Sequence, residues 1–186
     1  MTTLDCPQPM ACEADIRSRA EQGQVSSPVA AVLAASAFVI PLVLGASTSP
    51  SPKHPRVLIW YRSLKKPWFQ PADIVIPIAW TAIEAGLASS AYRLLRASPS
   101  EARTRSLSIW AWNVAMIGAW SRLFFGGRNL PASTVAAVGM VATGAAFVQQ
   151  ARQVDVAASR AGIPFVAWVG FATVLTAALW RLNRRP

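Results

Sequence analysis

Residues 28–46 read PVAAVLAASAFVIPLVLGA, and no charged side chain occurs between residues 28 and 52. A helix needs ~20 apolar residues to cross the ~30 Å hydrocarbon core of a bilayer. This run therefore predicts a membrane-spanning helix. Four further segments extend the pattern along the chain. They are 72–95, interrupted by Glu84 and Arg93; 106–126, with Arg122 near its end; 131–151; and 161–180, the last two uncharged. Strands of a membrane barrel would alternate over ~10 residues, which these segments do not do. Helices then satisfy the backbone within lipid. The expectation is an all-α integral membrane protein, a five-transmembrane-helix bundle with several spans in one chain. Ser98–Glu101 and Gly126–Gly127 read as turns, Pro131 opens the fourth span, and 152–160 joins the last two. The long connection is 47–71, rich in Pro, Ser and Lys/Arg.

The chain has 186 residues, 53% of them hydrophobic and 14% charged, with 18 Lys+Arg against 8 Asp+Glu and a net charge of +10. Such a basic excess ordinarily points to nucleic acid. On a chain of mean hydropathy +0.35, it flanks spans instead, so the expected partner is membrane lipid and not nucleic acid. Residues 1–27 form a polar tail, expected to be disordered, with Asp5, Glu13, Asp15 and Glu21 against Arg17 and Arg19. The acids, and the distance of the arginines from the apolar run, argue against a cleaved signal peptide. Residues 28–183 form the membrane domain and 184–186 a basic end. Five spans put the termini on opposite faces, and the basic residues divide 8 to 10 in favour of a cytoplasmic C-terminus. Two cysteines, Cys6 and Cys12, and one histidine, His54, exclude a disulfide scaffold and a zinc site. No acid–base dyad or nucleophile stands out, so no catalytic residue and no metal ligand is assigned.

The residues that carry a resemblance lie at the span borders. Trp60, Tyr61, Leu64, Lys66, Pro67, Trp68 and Pro71 precede a span that holds Trp80. Trp120 is followed by Phe124–Phe125–Gly126. Asp155 and Ala158 precede Pro164, Trp168, Phe171–Ala172–Thr173 and Trp180–Arg181–Leu182–Asn183. In order and over five spans, these blocks resemble the TspO/MBR family of tryptophan-rich sensory and translocator proteins. The resemblance implies a five-helix bundle, usually dimeric, with the loop between spans one and two as a lid over a ligand pocket. It implies a porphyrin ligand, protoporphyrin IX or haem, with no obligatory cofactor. By the same resemblance the ligand-contact positions are Trp60, Lys66, Trp68, Trp80, Asn113, Trp120, Trp168 and Ala172, and Glu84, at a position where the chain departs from the family, is expected to join them. Three functions remain open: tetrapyrrole receptor or transporter, light- and oxygen-dependent porphyrin-degrading enzyme, and membrane scaffold acting through partners.

The eight tryptophans have a plainer reading. Trp60, Trp110 and Trp180 sit at span ends and suit an interfacial belt. Trp80, Trp120 and Trp168 lie deeper, where a ring either packs helices or lines a pocket for a flat apolar ligand. Lys65 and Lys66 could meet either lipid headgroups or ligand carboxylates. Ala111, Ala115 and Ala119 form a small-residue stripe that lets backbones approach, and the resemblance implies a homodimer there. Several positions depart from the family pattern: Glu84 replaces a tyrosine, Ile117 and Thr176 replace asparagines, Phe165 a tyrosine and Arg122 a proline. A carboxylate in lipid costs ~2.5–3.5 kcal/mol, so Glu84 is expected to face the bundle interior, either lining the pocket or pairing with Arg122.

Overall fold

The computed structural model describes residues 23–184. The tail expected to be disordered lies outside the described residues over 1–22, as do Arg185 and Pro186 of the basic end. All regular structure among the described residues is helical. The elements are α1 (Ser27–Gly45), α2 (Pro55–Ser63), α3 (Val75–Arg96), α4 (Glu101–Ser121), α5 (Leu130–Arg152) and α6 (Val156–Leu182), with a π-helical turn over Arg122–Gly126 after α4.

The helix starts are written in the sequence. Proline stands in the first turn of α1, α2 and α5, where its missing N–H would be unpaired in any case. Ser100, Asn129 and Asp155 cap α4, α5 and α6 by accepting from the backbone N–H of Arg103, Ala132 and Ala158 at 3.1, 3.0 and 2.8 Å. Two of these caps correct the sequence reading. Ser100, read as part of a turn, starts α4 five residues before the expected span, and Asp155 starts α6 ahead of residue 161. The link 47–71 also holds a helix, α2, which hydropathy does not reveal.

By length and composition α1, α5 and α6 suffice to cross a membrane. Glu84 excepted, the charges of α3 and α4 collect near the turn between them: Arg93 and Arg96 close α3, and Glu101, Arg103 and Arg105 open α4. Arg96 Nη1 donates to Val25 O at 2.9 Å and Arg103 Nη1 to Gly23 O at 3.2 Å, fastening the segment that enters α1. Arg93 bridges to Asp155 at 2.9 Å. The Asp155 carboxyl is held below its ordinary range, chiefly by this hydrogen bond.

The five long helices close a ring: α1 packs on α3 and α4, α3 on α6, α6 on α5, and α5 on α4. Leu87, Leu94, Val114, Phe147 and Phe165 fill its centre with no exposed surface. At the α5–α6 seam the fit is reciprocal. The Phe165 ring lies on Gly144 and the Phe147 ring on Gly162, where an added Cβ would stand 2.9 and 2.7 Å from ring carbons. Polar side chains also tie the α3–α6 and α5–α6 seams, the usual glue between helices in lipid. Ser90 Oγ donates to Ala158 O and Ser159 Oγ to Val148 O, both at 2.7 Å. Trp110, expected at a membrane interface, is instead buried midway along α4, and its indole N–H donates to Leu87 O at 2.9 Å. The belt reading fails there because α4 begins earlier than the hydropathy run.

Candidate functional site

Alternate directions of neighbouring helices bring the C-terminal ends of α1, α4 and α6 together with the N-terminal ends of α3 and α5. At this end of the ring lies a cavity of about 420 Å³, within the range of small-molecule sites. Trp80 of α3, Trp120 of α4, and Trp168 with Ala172 of α6 all line it. Three helices that are distant in sequence thus share one wall system. Ile117 and Thr176, the two positions that depart from the family's asparagines, line it too. The Thr176 hydroxyl donates back to Ala172 O, so the wall there is apolar in effect.

The aromatic walls are ordered by one another. The Trp120 indole N–H donates to Ser133 O at 2.9 Å, and its ring stacks on Phe124 at 4.9 Å and 16°. The π-helical turn carries Phe124 and Phe125 into the cavity wall; such turns recur at functional sites. Trp168 tilts against Phe171 at 5.5 Å. Its indole nitrogen is buried with no hydrogen-bond partner among the described residues.

The segment after α1 covers the mouth. Trp60 of α2 meets Phe124 edge-on at 5.8 Å, and Tyr61 meets Phe125 at 5.7 Å. Leu64 is a buried peg among Phe124, Leu130 and Leu179. The Asn183 side chain accepts from Lys65 N–H and donates to Lys65 C=O, both at 3.0 Å. Gln70 Nε2 donates to Tyr61 Oη at 3.2 Å. Burial, and then the charge of Asp73, raise the Tyr61 pKa, while the Gln70 bond opposes them. Tyr61 is therefore a neutral phenol at physiological pH.

The other expected ligand positions lie elsewhere. Trp60 packs beneath the lid and outside the cavity lining, with the Arg128 guanidinium 5.7 Å above its ring. Lys66 Nζ rests 4.5 Å over the Tyr61 ring. Trp68 is 95% exposed. Asn113 is buried away from the cavity, and its amide serves the helices: Nδ2 donates to Ile109 O of its own helix at 2.9 Å, and Oδ1 accepts from Thr143 Oγ1 of α5 at 2.7 Å. Glu84, one turn beyond Trp80, is half-buried but does not line the cavity. It does not pair with Arg122, whose Nε donates to Leu44 O at 2.6 Å. Phe165 packs on Gly144. Of the alanine stripe, Ala111 and Ala119 are exposed and Ala115 half-buried.

Sequence reasoning missed Arg62 and Asp73 at the mouth, and Ile76, Met140, Leu175 and Leu179 in the walls. Helical spacing from Trp168 would have reached Leu175 and Leu179. No signal in the sequence marks Arg62, because its place at the mouth depends on α2.

Fold and site together define an all-helical membrane protein with an aromatic-walled cavity under a lid. The TspO/MBR family model matches residues 37–181, and the chain belongs to this family. It is 31% identical over 125 residues to Protein CrtK of Rhodobacter capsulatus, covering 67% of this chain and 78% of that protein. It is 30% identical over 128 residues to the tryptophan-rich sensory protein of Cereibacter sphaeroides, covering 68% and 79%. It is also 30% identical over 129 residues to the translocator protein of Sus scrofa, covering 68% and 76%.

Proposed function

We propose that this chain is a five-span membrane receptor or transporter that binds a tetrapyrrole in the cavity beneath the lid. The observation that carries the reading is the convergence of Trp80, Trp120 and Trp168 on one covered, apolar cavity of about 420 Å³. Flat indole walls suit a flat conjugated ring. The ring of helices supports the five-span topology. At 22 and 21 residues, α3 and α4 are about 33 and 31 Å long, enough for a ~30 Å core. Their charges, Glu84 excepted, gather at one end, at headgroup level. The lid and C-terminus then face the more basic, cytoplasmic side. A second copy docks on the outward Ala111–Ala115–Ala119 face.

The test is tryptophan quenching by protoporphyrin IX, measured on the full chain in nanodiscs, in the dark and under illumination. Saturable dark quenching that is lost in Trp80→Leu and Trp168→Leu supports the reading. Bleaching to a new product under light would make the chain a degrading enzyme, and absence of quenching would leave it a scaffold.

A further inference from the structure

We propose that the cavity mouth is electrically polarised, so that Arg62 receives the carboxylate edge of a flat aromatic acid and Asp73 repels it. This rests on the tetrapyrrole reading for the size and flatness of the ligand, and adds which end goes in and what holds the other.

Arg62 and Asp73 are the only charged residues among those that line the cavity. Both are exposed. Neither belongs to an ion pair among the described residues, so each charge is available to a ligand. They come from different segments: Arg62 from the last turn of α2, Asp73 from the stretch that leads into α3. The two lysines just beyond α2 are placed otherwise. Lys66 is engaged over Tyr61, Lys65 is held through its backbone by Asn183, and neither lines the cavity.

Below the rim no cationic group meets a carboxylate. Ile76, Met140 and Leu175 offer no donor, the Thr176 hydroxyl is turned to its own helix, and the indole N–H groups of Trp80 and Trp168 are neutral. Burying an unpaired charge there is prohibitive. The acid edge must therefore stay at the mouth while the ring enters. At the mouth a guanidinium fork matches a carboxylate in a way that a point charge does not, and Asp73 repels it.

The experiment compares protoporphyrin IX with its dimethyl ester, which has the same ring and no charge, by dark tryptophan quenching of the full chain in neutral-lipid nanodiscs. The native chain should hold the acid about fivefold more tightly than the ester, as befits a partly exposed pair. Arg62→Gln should abolish that preference and Asp73→Asn should increase it. Arg62→Lys should keep part of it, and Lys53→Gln on the same loop should change nothing. All three positions are exposed, and circular dichroism checks that each variant folds. Equal binding of acid and ester by the native chain would overturn the polarised mouth alone. So would a preference that survives Arg62→Gln, or shifts of the same sign in Arg62→Gln and Asp73→Asn. Failure of both compounds to bind would overturn it together with the tetrapyrrole reading.

Discussion

Asn183→Ala should loosen the lid without unfolding the bundle. In the native chain the Asn183 side chain imitates a backbone group: Oδ1 takes the Lys65 N–H and Nδ2 gives to the Lys65 C=O, each at 3.0 Å. Nδ2 also donates to Leu179 O at 2.8 Å, which orients the amide. Alanine removes both lid bonds. Both are exposed, so water replaces them, and each counts at the low end of the ~0.5–1.5 kcal/mol range. The sum is about 1 kcal/mol, roughly a fivefold shift toward the open lid. The buried Leu64 peg remains, so the lid stays seated most of the time. Hydrogen exchange of the Lys65 amide and its neighbours in 58–70 should accelerate about fivefold, while the amides of α5 around Phe147 keep their protection. Unchanged exchange in the lid would show that the clamp does not hold it. Equal acceleration in α5 would show that Asn183 supports the whole bundle, and either result refutes the reasoning.

Gly162→Ala places a methyl 2.7 Å from the fully buried Phe147 ring. It should lower stability by about 1–3 kcal/mol, read as a lower melting temperature in detergent; an unchanged value would mean the α5–α6 seam can yield. Trp110→Phe and Trp168→Phe make the same cut in size, but only Trp110 loses a bond, to Leu87 O, whereas the Trp168 N–H has no partner to lose among the described residues. Trp110→Phe should be the costlier by about 1 kcal/mol, and equal losses would contradict the assignment. Asp155 has a carboxyl lowered by Arg93. Its stabilising share is therefore complete above the ordinary aspartate range near pH ~4 and lost as pH falls through the lower folded value. Asparagine at 155 keeps the cap, so Asp155→Asn should shrink the acid-induced fall in melting temperature below about pH 4 and leave its behaviour above about pH 5 flat.

The spans read well where lipid decides. Residues 28–46 and 131–151 fall within one residue of α1 and α5, because every side of such a helix is apolar and no period has to be found. The start of α4 was hidden because its first turn carries Glu101, Arg103 and Arg105, so the cap at Ser100 was the better signal. The nine residues of α2 mix Arg56 and Arg62 with apolar side chains in a Pro/Ser-rich link. The contacts that hold them are tertiary: Trp60 on Phe124 and Arg128 over Trp60. For the same reason Arg62 was invisible as a cavity residue, since its direction depends on a helix the pattern does not announce. Trp80, Trp120 and Trp168 could be singled out because a large ring deep in a span needs a groove. Asn113 could not be placed so easily, because a buried amide serves a helix seam as well as it serves a ligand. Thr143, on the neighbouring α5, supplies the bond that decides for the seam.

The π-helical turn explains how the lid and the cavity wall come to share one side chain. A turn closed by the Gly127 N–H on Arg122 O spans five residues where an α-helix spans four, so the residues beyond it are rotated by about one position, ~100°. Within the turn itself, Phe124 stacks on Trp120 at 4.9 Å and takes the edge of Trp60 at 5.8 Å. Phe125, next in line, meets Tyr61. A ligand ring that presses on Trp120 therefore presses on a stack whose other end is the lid. Conversely, α2 cannot lift without uncovering the Phe124 face that Trp60 meets. On the proposed reading, binding and closure draw on the same aromatic contacts, worth about 0.5–1.5 kcal/mol per ring pair beyond burial. A ligand that tightens the Trp120–Phe124 stack must then also hold the lid down.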